Sequence, residues 1–194
     1  MFPSLLSVLL AGVSHVVVEE ARRQLNLIFG PSGPPKDLIT VQIRWGDKKR
    51  EMKLVDISGY IEAVRKILQN LGRNTTTASV FLATEDPRAV EEFRENAPSE
   101  WNVYVDAYFE QFLPHRQKGY NGNPHMSKQL GGSPGLVALA SILVAMEAND
   151  FVLTTASNWS RLMNELRKNV LQPRLERPSE LVDLRPHTDG KFAR

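Results

Sequence analysis

Between Leu38 and Leu184 short apolar, β-branched runs alternate with stretches whose apolar residues recur at helical spacing, and this alternation restricts the fold more than any other feature of the chain. ITVQIRW, residues 39–45, reads as a strand directly after the turn-forming run Gly30-Pro31-Ser32-Gly33-Pro34-Pro35. Asp56 is placed to cap a helix carrying Ile57, Ile61, Val64, Ile67, Leu68 and Leu71. The unit repeats: Val80–Ala83 predicts a second strand, and Asp86-Pro87 supplies an N-cap and first-turn pair for the next helix. Asn102–Val105 predicts a third strand, followed by a long, turn-rich loop through Gln129 that reads as functional. A helix over Ser133–Ala148, a strand over Phe151–Thr154, a helix over Asn158–Val170 and an edge strand over Leu181–Leu184 complete the series. Strands separated by helices of this length predict an α/β fold, Rossmann-like, with a mainly parallel sheet and helices on both faces. Such sheets bind ligands at the carboxyl ends of their strands, so the residues just beyond each strand are the candidates for function.

The 194 residues suffice for one substantial core. The expected organisation is a single domain: a leading helix and Gly/Pro linker over residues 1–37, a motif-bearing core over 38–170 and a C-terminal extension over 171–194. The 24 basic and 22 acidic residues are too balanced for the broad basic field of a nucleic-acid binder, so an anionic ligand would be held locally. There is no cysteine, which excludes disulfides and cysteine-based zinc sites. The apolar run near Met1 has no basic residue before it and is too short for a spanning helix; it reads as a largely buried helix continuing into EEARRQL.

Three strand ends carry chemistry. After the first strand, Arg44, Asp47, Lys48, Lys49 and Arg50 gather cationic donors. A guanidinium at Arg44 grips a diphosphate through paired hydrogen bonds, and Lys48 neutralises a leaving phosphate, although a solvated charged turn accounts for the local composition equally well. After the second, Glu85 and Asp86 can hydrogen-bond a ribose or base, but capping alone accounts for Asp86. After the fourth, Thr154, Thr155, Ser157, Asn158 and Ser160 cluster at a helix N-terminus, where exposed backbone N–H groups and the positive dipole end favour a phosphate; capping by Ser157 or Asn158 is compatible with that use. His115, His125 and His187 lack the paired spacing of a metal site, so no metal is expected. The chain has no Walker loop, GxGxxG fingerprint, metalloprotease motif or nucleophile elbow.

The segments IRWGDK, VFLATEDPRAVEEF and DFVLTTASNWSRLMNEL, in this order and approximate separation, resemble the α-1,6-fucosyltransferase family and its relatives, including the rhizobial nodulation fucosyltransferases. The resemblance spans Leu38 to Val170. It implies the C-terminal, donor-binding half of a two-lobed GT-B glycosyltransferase that binds GDP-fucose without a required metal or other cofactor. It puts the phosphate-binding arginine at Arg44 and two further donor contacts at Ser157 and Asn158. Lys48 matches the family's lysine, and Glu51 is nearest to its catalytic glutamate, with the register shifted by one residue. Gln42 stands where the core-fucosylating members have a guanine-contacting histidine, Trp45 replaces a second arginine, and uncharged residues around Ser141 replace a guanine-contacting aspartate. Asp47, Glu85 and Asp86 complete the expected donor-binding set.

The resemblance implies an inverting fucosyltransferase acting on a glycan or glycoprotein acceptor in the Golgi lumen, with membrane contact only through an anchor upstream of this chain. A non-catalytic or truncated nucleotide- or carbohydrate-binding module lacking the acceptor lobe is the alternative. A longer reading frame with a second αβ lobe favours the enzyme, and a true start at Met1 favours the module. An αβ enzyme of other chemistry is a third reading, because fold alone does not determine function. Asn74-Thr75-Thr76 and Asn158-Trp159-Ser160 match the glycosylation acceptor pattern, the second inside the expected ligand site.

Overall fold

The computed structural model describes residues 13–45, 54–106 and 132–185. Its helices are α1 (His15–Phe29), α2 (Ile57–Asn70), α3 (Pro87–Asn96), α4 (Ser133–Ala145) and α5 (Asn158–Leu166); its strands are β1 (Leu38–Ile43), β2 (Ala78–Thr84), β3 (Trp101–Val105), β4 (Asp150–Leu153) and β5 (Leu181–Asp183). The strands form one sheet in the order β3-β2-β1-β4-β5, and every pairing is parallel. This is the Rossmann-like α/β arrangement expected from the alternation, with β1 central and the winding reversing between β1 and β4.

Alternation along β1 separates the two layers. Ile39, Val41 and Ile43 face a cluster built from Tyr60, Ile61, Val64 and Ile67 of α2 and Ala89 and Phe93 of α3. Leu38 joins the opposite cluster, with Ile142, Val144 and Ala145 of α4 and Met163 of α5. Helix α4 is apolar on nearly every side because it is sandwiched: Ala140 and Leu143 meet Val18 and Ala21 of α1. Gln24 of α1 reinforces that contact, its Nε2 donating to the Val137 carbonyl at 3.1 Å. The leading helix thus buries one stripe, Val18, Ala21 and Gln24, and is not buried throughout; the apolar run over residues 1–12 lies outside the described residues.

Helix ends follow local chemistry. Asp86 caps α3, accepting from the Arg88 amide at 3.0 Å, whereas Asp56 occupies the N-cap position of α2 without a side-chain capping bond. Gly72, at φ 64°, closes α2: its amide reaches the Gln69 carbonyl at 2.9 Å, and the Arg73 amide reaches that of Leu68 at 2.8 Å. The expected helix to Val170 is α-helical only to Leu166. A π-type turn over Arg167–Leu171 and a 3-10 turn over Gln172–Arg174 follow, where Pro173 has no N–H with which to continue the ladder. Asp150, fully buried at the start of β4, is held by a two-pronged pair with Arg177 at 2.8 and 2.7 Å and accepts from the Glu180 amide at 3.0 Å, which joins β5 to the sheet. No helix among the described residues is long and apolar enough to cross a membrane.

Glu147, in the turn after α4, is one of several residues among those described with a buried side-chain polar atom that lacks a hydrogen-bond partner, together with Gln24, Arg73, Ser179 and Arg185. Burial pushes its carboxyl from 4.5 to about 7, and Oε1 has no hydrogen-bond partner among the described residues. The folded protein therefore holds this proton more tightly than the unfolded chain, and stability falls as pH rises from about 4.5 to about 7. Glu147→Gln is expected to match the parent near the lower limit and to exceed its stability above the upper one by about 1–3 kcal/mol. Urea midpoints across that pH range measure this; an identical pH slope in both proteins would contradict it.

Candidate functional site

The polar positions of β1 build the site. On the strand face turned to α4 and α5, Thr40 and Gln42 follow Leu38, and both are buried. An unpaired polar group there would cost free energy, and each has found a distant partner. The Thr40 hydroxyl donates to the Ala145 carbonyl at the end of α4 at 2.7 Å. Gln42, only 3% exposed, accepts at Oε1 from the Ser160 hydroxyl, and Ser160 in turn accepts from the Thr154 amide at 3.1 Å. The carboxyl end of β1 is thereby locked to the start of α5. From the other layer, the buried Tyr60 hydroxyl lies 3.2 Å from Thr154 Oγ1, and burial raises its phenol so that it stays protonated.

A cleft of ≈230 Å³ opens at this edge of the sheet. Its floor is made by the ends of β1 and β2 and by Asp106, just beyond β3; Ala138 and Ser141 of α4 form one wall, and Ser157, Asn158 and Trp159 at the start of α5 form another. It spans the reversal between β1 and β4, where open α/β sheets bind their ligands because loops diverge there and leave a crevice. Small side chains at Ala83, Ala138 and Ser141 keep the crevice open.

Its electrostatics are graded. At one end, the α5 N-terminus presents first-turn backbone N–H groups and the positive end of the helix dipole. Ser157 holds the N-cap position, but its hydroxyl makes no capping bond. Asn158 is tied through Oδ1 to Arg161, and Thr155 through its amide and hydroxyl to Asp183, which fixes this loop. Arg44, 24% exposed, adds a guanidinium, with Nη1 3.5 Å from the Glu85 carboxylate, itself 53% exposed. At the other end lies Asp106, 6% exposed, whose Oδ2 accepts from the Ser141 hydroxyl and whose amide donates to the Leu82 carbonyl at 3.2 Å.

Of the residues singled out from sequence, Gln42, Arg44, Glu85, Ser157 and Asn158 line this one cleft. Asp86 does not: it is the cap of α3 and pairs with Arg88 at 3.0 Å. Asp47, Lys48 and Glu51, with Lys49 and Arg50, lie outside the described residues, as do His115, His125 and His187. Among the described residues no cluster of His, Asp or Glu side chains is arranged to hold a metal ion. Asp106 and Ser141 belong to the cleft without having been chosen from sequence as ligand contacts, yet Asp106 immediately follows a predicted strand and obeys the rule that selected Arg44. In the second glycosylation-like pattern Ser160 is fully buried and hydrogen-bonded to Gln42, a setting at odds with modification of Asn158.

This is the carboxyl-edge cleft of a Rossmann-like α/β protein. Neither a protein-family model nor a curated protein matches the chain.

Ser160 and Ser157 should separate framework from ligand surface. Ser160→Ala removes the partner of the buried Gln42 carbonyl and of the Thr154 amide, and is expected to lower unfolding free energy by about 1–3 kcal/mol. Ser157→Ala removes a hydroxyl with no capping bond and should change it by less than about 0.5 kcal/mol. Denaturant titration of both variants tests this, and equal losses would contradict it.

Proposed function

We propose that this chain is the nucleotide-sugar-binding part of an inverting glycosyltransferase, with GDP-fucose as the donor that the sequence resemblance favours and a glycan or glycoprotein as acceptor. The observation that carries the reading is the meeting of Arg44 with the N-terminus of α5 across the β1/β4 reversal. A diphosphate seated there accepts hydrogen bonds from a guanidinium and from backbone amides, two donor types suited to phosphate oxygens. The locked Gln42–Ser160–Thr154 bonds hold those donors in place before a ligand arrives.

In the proposed reaction the acceptor hydroxyl oxygen bonds to the anomeric carbon of fucose as the bond from that carbon to the diphosphate breaks. The bonding pair departs with GDP, and the hydroxyl proton passes to a carboxylate, for which the resemblance nominates Glu51. Lys48 and Arg44 offset charge growing on the leaving group, so electrostatic stabilisation of GDP is provided by side chains and backbone. The resemblance also places such an enzyme in the Golgi lumen and supplies its acceptor lobe from sequence beyond this chain. The described cleft serves equally in a module that binds a nucleotide and catalyses nothing; turnover of GDP-fucose separates the two.

Calorimetry with GDP, UDP and ADP on the chain and on Arg44→Ala tests the binding claim. GDP is expected to bind, and the variant to bind it about 10- to 100-fold more weakly, the loss of a charge-assisted bond. The variant should fold, because Glu85 is left half-exposed and hydrated. Equal affinity in the two proteins would remove Arg44 from the site, and failure of all three nucleotides to bind would overturn the reading.

A further inference from the structure

Two side-chain donors at the α5 end of the cleft are deeply buried and make no hydrogen bond to the protein. Gln42 is 3% exposed and Ser157 is 2% exposed, and both line the cleft. The Gln42 carboxamide is oriented by a relay. The Thr154 amide donates to Ser160 Oγ at 3.1 Å, which directs the Ser160 proton to Gln42 Oε1. Nε2 is thereby turned away from Ser160 with two N–H groups to give, and among the described residues neither it nor the Ser157 hydroxyl has a partner. Neither atom is closed off inside the core, so what each meets is the interior of the cleft. The two donors also converge. Ser160 is the third residue of α5, and Oε1 and Nε2 belong to one planar group, so Nε2 sits beside the first turn of that helix. There the amides of Asn158, Trp159 and Ser160 have no carbonyl one turn back to bond.

We propose that Gln42 and Ser157, together with the first-turn amides of α5, hold a single tetrahedral oxyanion, a phosphoryl or sulfuryl group, through uncharged donors. The inference rests on the nucleotide reading above only in taking that group to be part of a larger ligand. Donors that come from a strand, an N-cap and a helical turn approach from three directions, which suits a tetrahedral group better than a flat carboxylate. Each of its oxygens accepts hydrogen bonds, and the positive end of the α5 dipole offsets its charge. Because the side-chain donors are neutral, the subsite reads shape and acceptor positions, and it takes sulfate as well as phosphate. The Ser160 side chain is a positioning group: it touches Gln42 and sets which end of the carboxamide faces the ligand.

The test titrates the isotopically labelled chain with sodium sulfate and with inorganic phosphate, against sodium chloride at matched ionic strength, and follows the first-turn amides of α5. Both oxyanions are expected to saturate these shifts with affinities within about threefold of each other, and chloride is expected to leave them in place. Gln42→Met should weaken sulfate about tenfold and Ser157→Ala about fivefold, each the loss of one hydrogen bond to a charged group. Ser160→Ala breaks the same internal bond as Gln42→Met but keeps the Nε2 donor, and should bind sulfate within about threefold of the parent. A loss in Ser160→Ala as large as that in Gln42→Met would make the effect one of framework and overturn the assignment, as would parent-like binding by Ser157→Ala. If neither oxyanion produces more than chloride does, the subsite is wrong even where GDP binds, and the nucleotide reading stands on GDP alone. If the oxyanions behave as expected while GDP, UDP and ADP fail to bind, the subsite stands and the nucleotide reading falls.

Discussion

Strand β1 has a neighbour on each edge and a helical layer on each face, so none of its side chains between Leu38 and Ile43 reaches bulk water. A strand in that position is normally apolar throughout. This one carries Thr40 and Gln42 on one face, and burial forces each to find a partner that water cannot supply. Their partners are the last turn of α4 and the first turn of α5, so the demand for hydrogen bonds inside the core orients the two helices that wall the cleft. Tyr60 ties the opposite layer to the same loop through Thr154.

The arrangement gives the cleft its chemical grading. Parallel strands place all their carboxyl ends on one edge, and the reversal between β1 and β4 opens a gap there. The gap receives positive character from Arg44 and from α5, and negative character from Glu85 and Asp106 across the sheet. Because Gln42, Asp106, Ser141 and Ser157 are all nearly removed from solvent, their interactions with a ligand would be screened far less than those of a surface pair. In the Arg44–Glu85 pair Glu85 is half exposed and Arg44 about a quarter exposed, so water screens their attraction in part.

What the sequence made legible follows from range. The strands and helices were readable because apolar periodicity directly encodes which face is buried, and the cap at Asp86 because capping involves residues two apart. Arg44, Glu85, Ser157 and Asn158 were found by combining residue chemistry with the strand-end rule. Gln42 was noticed only as a departure from a family pattern; its burial and its bond to Ser160, 118 residues away, have no local signature. Asp106 directly follows a predicted strand, but its place beside Ala83 comes from strand register, which has no local signature. The early end of α5 was missed because its apolar residues continue in phase past Leu166, while the break arises around Pro173.

The central claim is that Arg44 and the first turn of α5 hold the same anion. Amide-resolved NMR of the isotopically labelled chain, titrated with GDP, tests it most directly. The account predicts saturable shifts concentrated at the Asn158, Trp159 and Ser160 amides and at Arg44, with Glu147 and its neighbours at the other end of α4 unmoved. Saturable shifts that leave the start of α5 untouched would contradict it.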